Sequence, residues 1–306
     1  MRIAVMGAGG VGGYFGGRLA EAGEEVMFIA RGAHLEAFRQ QGLRIESALG
    51  DVAIHPIGHA ADPAEVGVVD MVIFAVKLYD TEAAAAALRP LLGPATGVVT
   101  LQNGIDGMAV LTRVLGAAHV IGGVAQIAAV IAAPGTIAHN GTMARVTFGE
   151  ADGAHSARVE ALAAAFGRAG VEYEVSPEIE RAIWEKMAFL SAFSGMTALM
   201  RLPIGPIRED RQARGLLQHA VAEAAAVAKA SGTDLGADFT ARRLGHIDQL
   251  PASMKSSLLQ DLERGRRLEL PWLSGAISRM GRERGIATPT HDFITTALSL
   301  HVGGRP

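Results

Sequence analysis

The first thirty-one residues constrain this chain more than any other part of it. Ile3-Ala4-Val5-Met6 is a short apolar run, and it leads without a break into Gly7-Ala8-Gly9-Gly10-Val11-Gly12. A helical pattern follows, and then a second apolar run, Val26-Met27-Phe28-Ile29. In this order of strand, Gly-x-Gly-x-x-Gly, helix and strand, a backbone can wrap a pyrophosphate. Gly7 permits the tight turn, Gly9 removes the side chain that would block the phosphates, and Gly12 lets the helix approach the strand. The helix N-terminus then faces the anion with its unsatisfied amides. In this context the glycines read as a dinucleotide site rather than as a glycine-rich turn.

The end of the second strand selects among dinucleotides. A site for NAD usually carries Asp or Glu there, bonded to the ribose 2′-hydroxyl. This chain has Ala30 and Arg31, and Glu24 and Glu25 stand before the strand, at its wrong end. A carboxylate would repel a 2′-phosphate, whereas a guanidinium can grip it through two hydrogen bonds. Arg31 also reads as a solvated loop cation, but the pattern favours NADP(H) over NAD(H).

With 306 residues the chain is long enough for two domains. Its 28 basic and 31 acidic residues are spread evenly and leave a net charge of −3, with no basic stripe for nucleic acid. There is no cysteine, which excludes disulfides, thiolate metal sites and a cysteine nucleophile and fits a reducing cytoplasm. Glycines break the N-terminal apolar run, and no small-residue cleavage site follows, so it is not read as a secretory signal. The most apolar stretch, 120–133, is interrupted by Gly122, Gly123 and Gln126 and is too short to cross a bilayer. It suits a strand buried on both faces. No membrane or nucleic-acid partner is expected.

The first half alternates strand and helix. Strands are predicted over 3–6, 26–29, 71–76, 97–101 and 120–125, and helices over 10–22, 34–41 and 81–91. That rhythm implies a Rossmann-type, doubly wound α/β sheet with right-handed crossovers. A hairpin of 136–139 and 144–149 is predicted to turn at Asn140-Gly141. A helix over 154–169 and a strand over 171–175 would finish this domain, with the boundary near Ser176-Pro177. The rest reads as helical: 178–199, 212–231, 240–249, 258–264 and 270–284. The expected architecture is an NADP-binding domain over 1–176 and an all-α substrate and dimerisation domain over 177–306.

Ligands of open α/β sheets bind outside the carboxyl ends of the strands. Lys77 follows one predicted strand and Gln102-Asn103-Gly104 another, so both would project toward the nicotinamide end of a cofactor. A surface lysine and an ordinary turn are the plainer readings. In the helical part, Lys186, Leu190 and Ser194 are spaced to share one helix face within an apolar sequence. A lysine on such a face can have its pKa lowered and can deliver a proton, or it can snorkel to solvent. Ser257 could bond a substrate carboxylate or cap a helix. Glu269 could pair with Lys186, bond a substrate hydroxyl, or join a surface ion pair with Arg264, Arg266 and Arg267. His55 and His59 are separated by Pro56 and Gly58, which prevent a helix from aligning them, and no metal site is expected. His291 reads as structural.

Taken in order, Gly7-Ala8-Gly9-Gly10-Val11-Gly12, Ala30-Arg31, Val76-Lys77, Gln102-Asn103-Gly104, Trp184-Glu185-Lys186, Ser256-Ser257-Leu258-Leu259-Gln260-Asp261, Glu269 with Gly275, and Gly285-Ile286-Ala287-Thr288-Pro289-Thr290 resemble the ketopantoate reductase family (2-dehydropantoate 2-reductases) over nearly the whole chain. The resemblance implies NADPH-dependent reduction of a 2-oxo acid to a 2-hydroxy acid; in pantothenate synthesis the product would be (R)-pantoate. It implies that the glycine loop, Arg31, Lys77 and Asn103 hold NADP(H). It further implies that Lys186 is the general acid, that Asn103, Ser194 and Ser257 contact the substrate, and that Glu269 binds a substrate hydroxyl or holds Lys186. A homodimer is common among similar proteins.

The chain departs from the family pattern where its members often carry Asn one and two turns after the lysine, and again three residues before the serine. Leu190, Ser194 and Met254 stand there. A pocket without those amides reads fewer polar groups. Two alternatives to ketopantoate reduction therefore stay open: a paralogous NADPH-dependent reductase of a more apolar 2-oxo acid, and a non-catalytic NADP(H) sensor. A sensor would need neither Lys186 nor Glu269.

Overall fold

A computed structural model describes residues 1–305. The chain forms two compact units. One comprises Met1–Gln102 and Asp106–Ala182; the other comprises Asn103–Ile105 and the chain from Ile183 onward.

The first unit is built on a ten-stranded sheet. Strands β1 (Arg2–Met6), β2 (Glu25–Ile29), β3 (Leu43–Ser47), β4 (Val52–Ile54), β5 (Gly58–Ala60), β6 (Val69–Phe74), β7 (Leu92–Thr100), β8 (Val120–Ala133), β9 (Thr136–Gly149) and β10 (Glu172–Val175) lie in the order β4-β3-β9-β8-β7-β6-β1-β2-β5, with β10 on β9. From β5 through β2, β1, β6 and β7 to β8 all pairings are parallel. The order reverses direction at β1, as a doubly wound sheet requires, and the Rossmann-type expectation holds. Helices α1 (Gly10–Glu21), α2 (Gly32–Gln41), α3 (Thr81–Ala87), α4 (Asp106–Leu115) and α5 (Ala157–Arg168) connect the strands.

Strand periodicity explains the two layers of core. In β1, Ile3 and Val5 join a cluster with Phe15, Leu19, Phe28 and Phe166, while Ala4 and Met6 join Val72, Phe74, Ala85 and Leu88 on the opposite face. A strand buried on both faces must be apolar throughout, which is why Ile3-Ala4-Val5-Met6 carries no polar side chain.

The hairpin is where sequence and structure part. β8 and β9 pair antiparallel over nearly their whole length, and the turn between them is Pro134-Gly135, with Gly135 at φ +76°. Asn140-Gly141 makes no turn. It lies in a bulge of β9, where the register skips between the pairs Ile127–Ala144 and Ala129–His139. His139 closes the bulge: one ring nitrogen bonds the Met143 carbonyl at 3.0 Å and the other bonds Ser47 Oγ at 2.8 Å. Asn-Gly is a strong local turn signal. Here the long partner strand β8 outweighs it and absorbs the extra residues as a bulge.

The second unit is helical: the main length of α6 (Ile179–Met200), then α7 (Ile204–Glu209), α8 (Arg211–Ala230), α9 (Phe239–Gln249), α10 (Ser257–Glu263), α11 (Ser274–Arg284) and α12 (Pro289–Ala297). Their core gathers Trp184, Met187, Phe193, Met196, Leu217, Val221, Leu258, Ile277 and Ile294. The helix expected over 270–284 is split into a short 3-10 turn, Leu270–Trp272, and α11, because Pro271 and the non-helical Leu273 interrupt it.

Two glycines of the loop differ in kind. Gly7 has φ +99°, and a Cβ there would lie 2.7 Å from the Ala75 and Val76 backbone; at Gly9 a Cβ would meet nothing within 4 Å. Gly7→Ala is expected to lower the unfolding free energy by about 2 kcal/mol or more, and Gly9→Ala by less than about 0.5 kcal/mol. Urea unfolding of the two variants beside the parent checks this; equal losses would refute it.

Candidate cofactor cradle and acid–base pair

In the first unit the site is assembled at the carboxyl ends of β1 and β6. The Ala75 amide donates to the Met6 carbonyl at 2.8 Å, which carries the pairing of the two strands one residue beyond β6. Gly7 packs against that segment, and a Cβ on Gly12 would collide with the Gly7 carbonyl. The start of α1 is therefore seated on bare backbone. Its first hydrogen bond is Gly13 N–H to Gly9 O at 2.7 Å, and Gly9 at the N-cap brings no side chain to the amides before it. Those amides have no acceptor within the helix. Amides at the start of α1, with open space over Gly9, fit an oxygen-rich anion such as a pyrophosphate.

Arg31 is exposed and stands at the N-cap of α2, two residues beyond β2. Lys77 is exposed and starts the 3-10 turn after β6. Asn103 is half-buried, followed by Gly104 at φ +78°.

Two side chains outside the expected contact set hold this architecture together. Gln102 turns inward: its amide donates to the Val76 carbonyl at 2.9 Å and to Thr81 Oγ1 at 2.8 Å. Thr81 in turn donates to the Leu78 carbonyl at 2.8 Å. Gln102 thus fixes the segment that carries Lys77. His34 bridges the Ala8 carbonyl, 2.8 Å from Nε2, and the Gly135 amide, 3.0 Å from Nδ1. Neither role leaves a local signal, since each depends on partners 21 to 101 residues away.

In the second unit Lys186 and Glu269 come together. Lys186 is half-buried on α6, where Ile183, Phe189 and Leu190 lie one turn away. Burial pushes its ammonium down from 10.5 to about 8, and the negative charge of Glu269 opposes the shift. Glu269 is itself buried, between fully buried Leu268 and Leu270. The reading of Glu269 as part of a surface ion pair is thereby excluded. Ser194, two turns along from Lys186, is buried, and Leu190 between them packs against the helical core.

The capping role that the sequence offered to Ser257 falls to Ser256. Ser256 is buried and caps α10, accepting from the Leu259 amide at 3.0 Å, and its hydroxyl lies 2.7 Å from Thr197 Oγ1 on α6. Ser257, the first residue of α10, stays exposed. Met254, half-buried, also packs against the helical core. Among the described residues no group of three His, Asp or Glu side chains could hold a metal ion, and no helix is long and apolar enough to cross a membrane.

Comparison with known proteins matches both parts of the sequence. Residues 3–153 fit the family model "Ketopantoate reductase PanE/ApbA" and residues 178–301 fit its C-terminal counterpart. A 2-dehydropantoate 2-reductase of Mesorhizobium japonicum is 34% identical over 318 residues, covering 96% of this chain and 95% of that one. The crystal structure of a 2-dehydropantoate 2-reductase from Geobacter metallireducens superposes with a TM-score of 0.92 at 32% identity, over 98% and 99% of the two chains. D-Mandelate dehydrogenase, solved with NADH and anilino(oxo)acetate, shares the fold with a TM-score of 0.90 at 24% identity, over 99% and 98%. With family models matched on both parts and relatives aligned at nearly full length, the chain belongs to the ketopantoate reductase family of oxidoreductases.

Proposed function

We propose that this protein reduces a 2-oxo acid with NADPH, and that the acid is 2-dehydropantoate, giving (R)-pantoate. Lys186 carries the reading: an ammonium on an apolar helix face, poised at about 8, opposed in its shift by the buried Glu269 carboxylate. A protein that only bound the cofactor would have no use for that pair.

The glycine loop fits a dinucleotide, since any side chain at residue 9 would fill the space that Gly9 leaves open. Gly7, Ala8, Gly9, Gly10, Val11 and Gly12 would hold the pyrophosphate, Arg31 the 2′-phosphate, and Lys77 and Asn103 the nicotinamide end. Bound there, NADPH supplies the hydride that the carbonyl carbon accepts. Negative charge then builds on the carbonyl oxygen. Lys186 donates a hydrogen bond to that oxygen, stabilises it, and gives up a proton as the carbonyl becomes an alcohol. The resulting amine regains its proton from solvent. Glu269 favours the ammonium form between turnovers and accepts a hydrogen bond from a substrate hydroxyl. Asn103, Ser194 and Ser257 bond the polar groups of the acid. On this reading residues 1–176 are the NADP-binding domain, and residues 177–306 carry substrate contacts and the homodimer contact of a cytoplasmic enzyme.

One observation favours a second reading. Leu190, one turn from Lys186, and Met254, three residues before Ser257, are both half-buried and apolar. They suit a 2-oxo acid with a more apolar substituent, reduced by the same acid–base pair. A site that offers no partner for a hydroxyl discriminates poorly in its favour. NADPH oxidation followed with ketopantoate and a panel of bulkier, apolar 2-oxo acids decides between the two. Preference for ketopantoate supports the first reading and preference for an apolar acid the second. Inactivity on all of them, with NADPH still bound, would count against both.

Arg31→Ala is expected to weaken NADPH binding by at least about tenfold while NADH binding changes little. Gly9→Ala should weaken both without loss of stability. Equal effects of Arg31→Ala on the two cofactors would remove the 2′-phosphate argument.

Lys186→Ala should abolish turnover and leave NADPH binding intact. In the parent, the ammonium is the active form, so reduction should decline above pH 8, about tenfold per pH unit. Glu269 raises the lysine pKa, so Glu269→Gln should shift that alkaline limb to lower pH. A pH profile that stays flat from pH 7 to pH 10 would refute Lys186 as the acid.

A further inference from the structure

We propose that His34 is a positioning residue for the dinucleotide cradle, holding the Ala8–Gly9 peptide plane from behind. The inference rests on the reading of the glycine loop as the NADPH site.

His34 lies in the first turn of α2, three residues after Arg31. Its ring is half-buried and packs at 4.5 Å, between centroids, on Phe38 of the same helix. Both ring nitrogens are engaged, and both partners are backbone. Nδ1 accepts the Gly135 N–H at 3.0 Å. A nitrogen that accepts carries no proton, so in the neutral ring the proton is on Nε2. Nε2–H then donates to the Ala8 carbonyl at 2.8 Å. Burial holds the ring pKa below its ordinary value, which keeps the ring in the neutral form that this donor–acceptor pair needs.

The bridge joins three segments that are remote in sequence: the glycine loop, the start of α2 and the turn between β8 and β9. The Ala8 carbonyl belongs to the same planar unit as the Gly9 N–H. In a trans peptide the two point in opposite directions. Fixing the carbonyl on His34 therefore directs the Gly9 N–H to the other side of the loop, and Gly9 brings no side chain that would limit rotation of this plane. The same bond ties the first turn of α2, which begins at Arg31, to the loop. One side chain thus sets the aim of a cradle amide and the placement of the arginine proposed for the 2′-phosphate.

The test uses three variants of the full-length protein: His34→Ala, His34→Phe and His34→Gln. Phenylalanine keeps a ring against Phe38 and offers no polar atom. Glutamine offers an N–H and a carbonyl on one flexible side chain. NADPH affinity by fluorescence titration, KM and kcat with the substrate that the panel identifies, and urea unfolding are measured for each. The expected result is a rise of about tenfold in Kd and KM for NADPH in the Ala and Phe variants, from loss of a buried hydrogen-bonded pair. At saturating NADPH, kcat should stay within about twofold, because the acid and the hydride path are untouched. The Gln variant should return to within about threefold of the parent in Kd and KM. Should the Ala variant fail to fold, the Phe and Gln pair decides alone. Parental NADPH affinity in the Phe variant overturns the proposal, and so does a loss of stability or kcat in all three variants with KM unchanged. Failure of the parent protein itself to bind NADPH would overturn the cofactor reading and this inference with it.

Discussion

The first unit depends on a contact between two stretches of backbone that no side chain separates. The opening of α1 rests on the ends of β1 and β6, with Gly7 against Ala75 and Val76 and Gly12 over the Gly7 carbonyl. Dispersion and steric repulsion act over a few tenths of an ångström, so the contact tolerates very little change. It sets the height at which α1 begins, and so the direction of the free amides. The second strand takes its place from the parallel register of β2 on β1, and Arg31 follows two residues beyond its end. Gln102 and His34 brace the same region from its two sides through neutral side chains bonded mainly to backbone carbonyls and amides.

The second unit works through an opposition of electrostatic effects rather than through contact. Burial alone would drive Lys186 toward the neutral amine, and a fully solvated lysine would be too weak an acid to part readily with its proton. Glu269 supplies the counterweight, and the balance falls at about 8. The carboxylate can act strongly because it too is withdrawn from water, where its field is less screened. On the proposed reading, the acid of the reaction owes its strength to this compromise and not to the lysine in isolation.

Much of the fold was legible because it repeats simple periods. The strand, glycine loop and helix at the start, the five buried parallel strands and the change to helical spacing after Pro177 all follow from apolar patterning. What escaped was short or depended on distant partners. β3, β4 and β5 have three to five residues each and too little periodicity to stand out. Asn140-Gly141 misdirected the hairpin because turn preference is local while strand pairing is not. Lys186 and Glu269 were each legible as candidates, but their nearness joins residues 83 apart and belongs to the packing of the helices. Capping was read for Ser257, but Ser256 caps α10, because which serine serves is decided by where the chain enters the helix.

That division between the two serines bears on how such an enzyme can diverge. Ser256, Leu258 and Leu259 are buried and hold α10 to its neighbours, whereas Ser257 is exposed and Met254 is half-buried. Residues that fix the helix share a single short segment with exposed Ser257. Substitutions at 257 can therefore accumulate at little cost to folding, whereas those at half-buried 254 and 190 also alter packing against the helical core. On the proposed reading, a lineage could drift from one acid to another through these three sites while its scaffold stayed under unchanged selection.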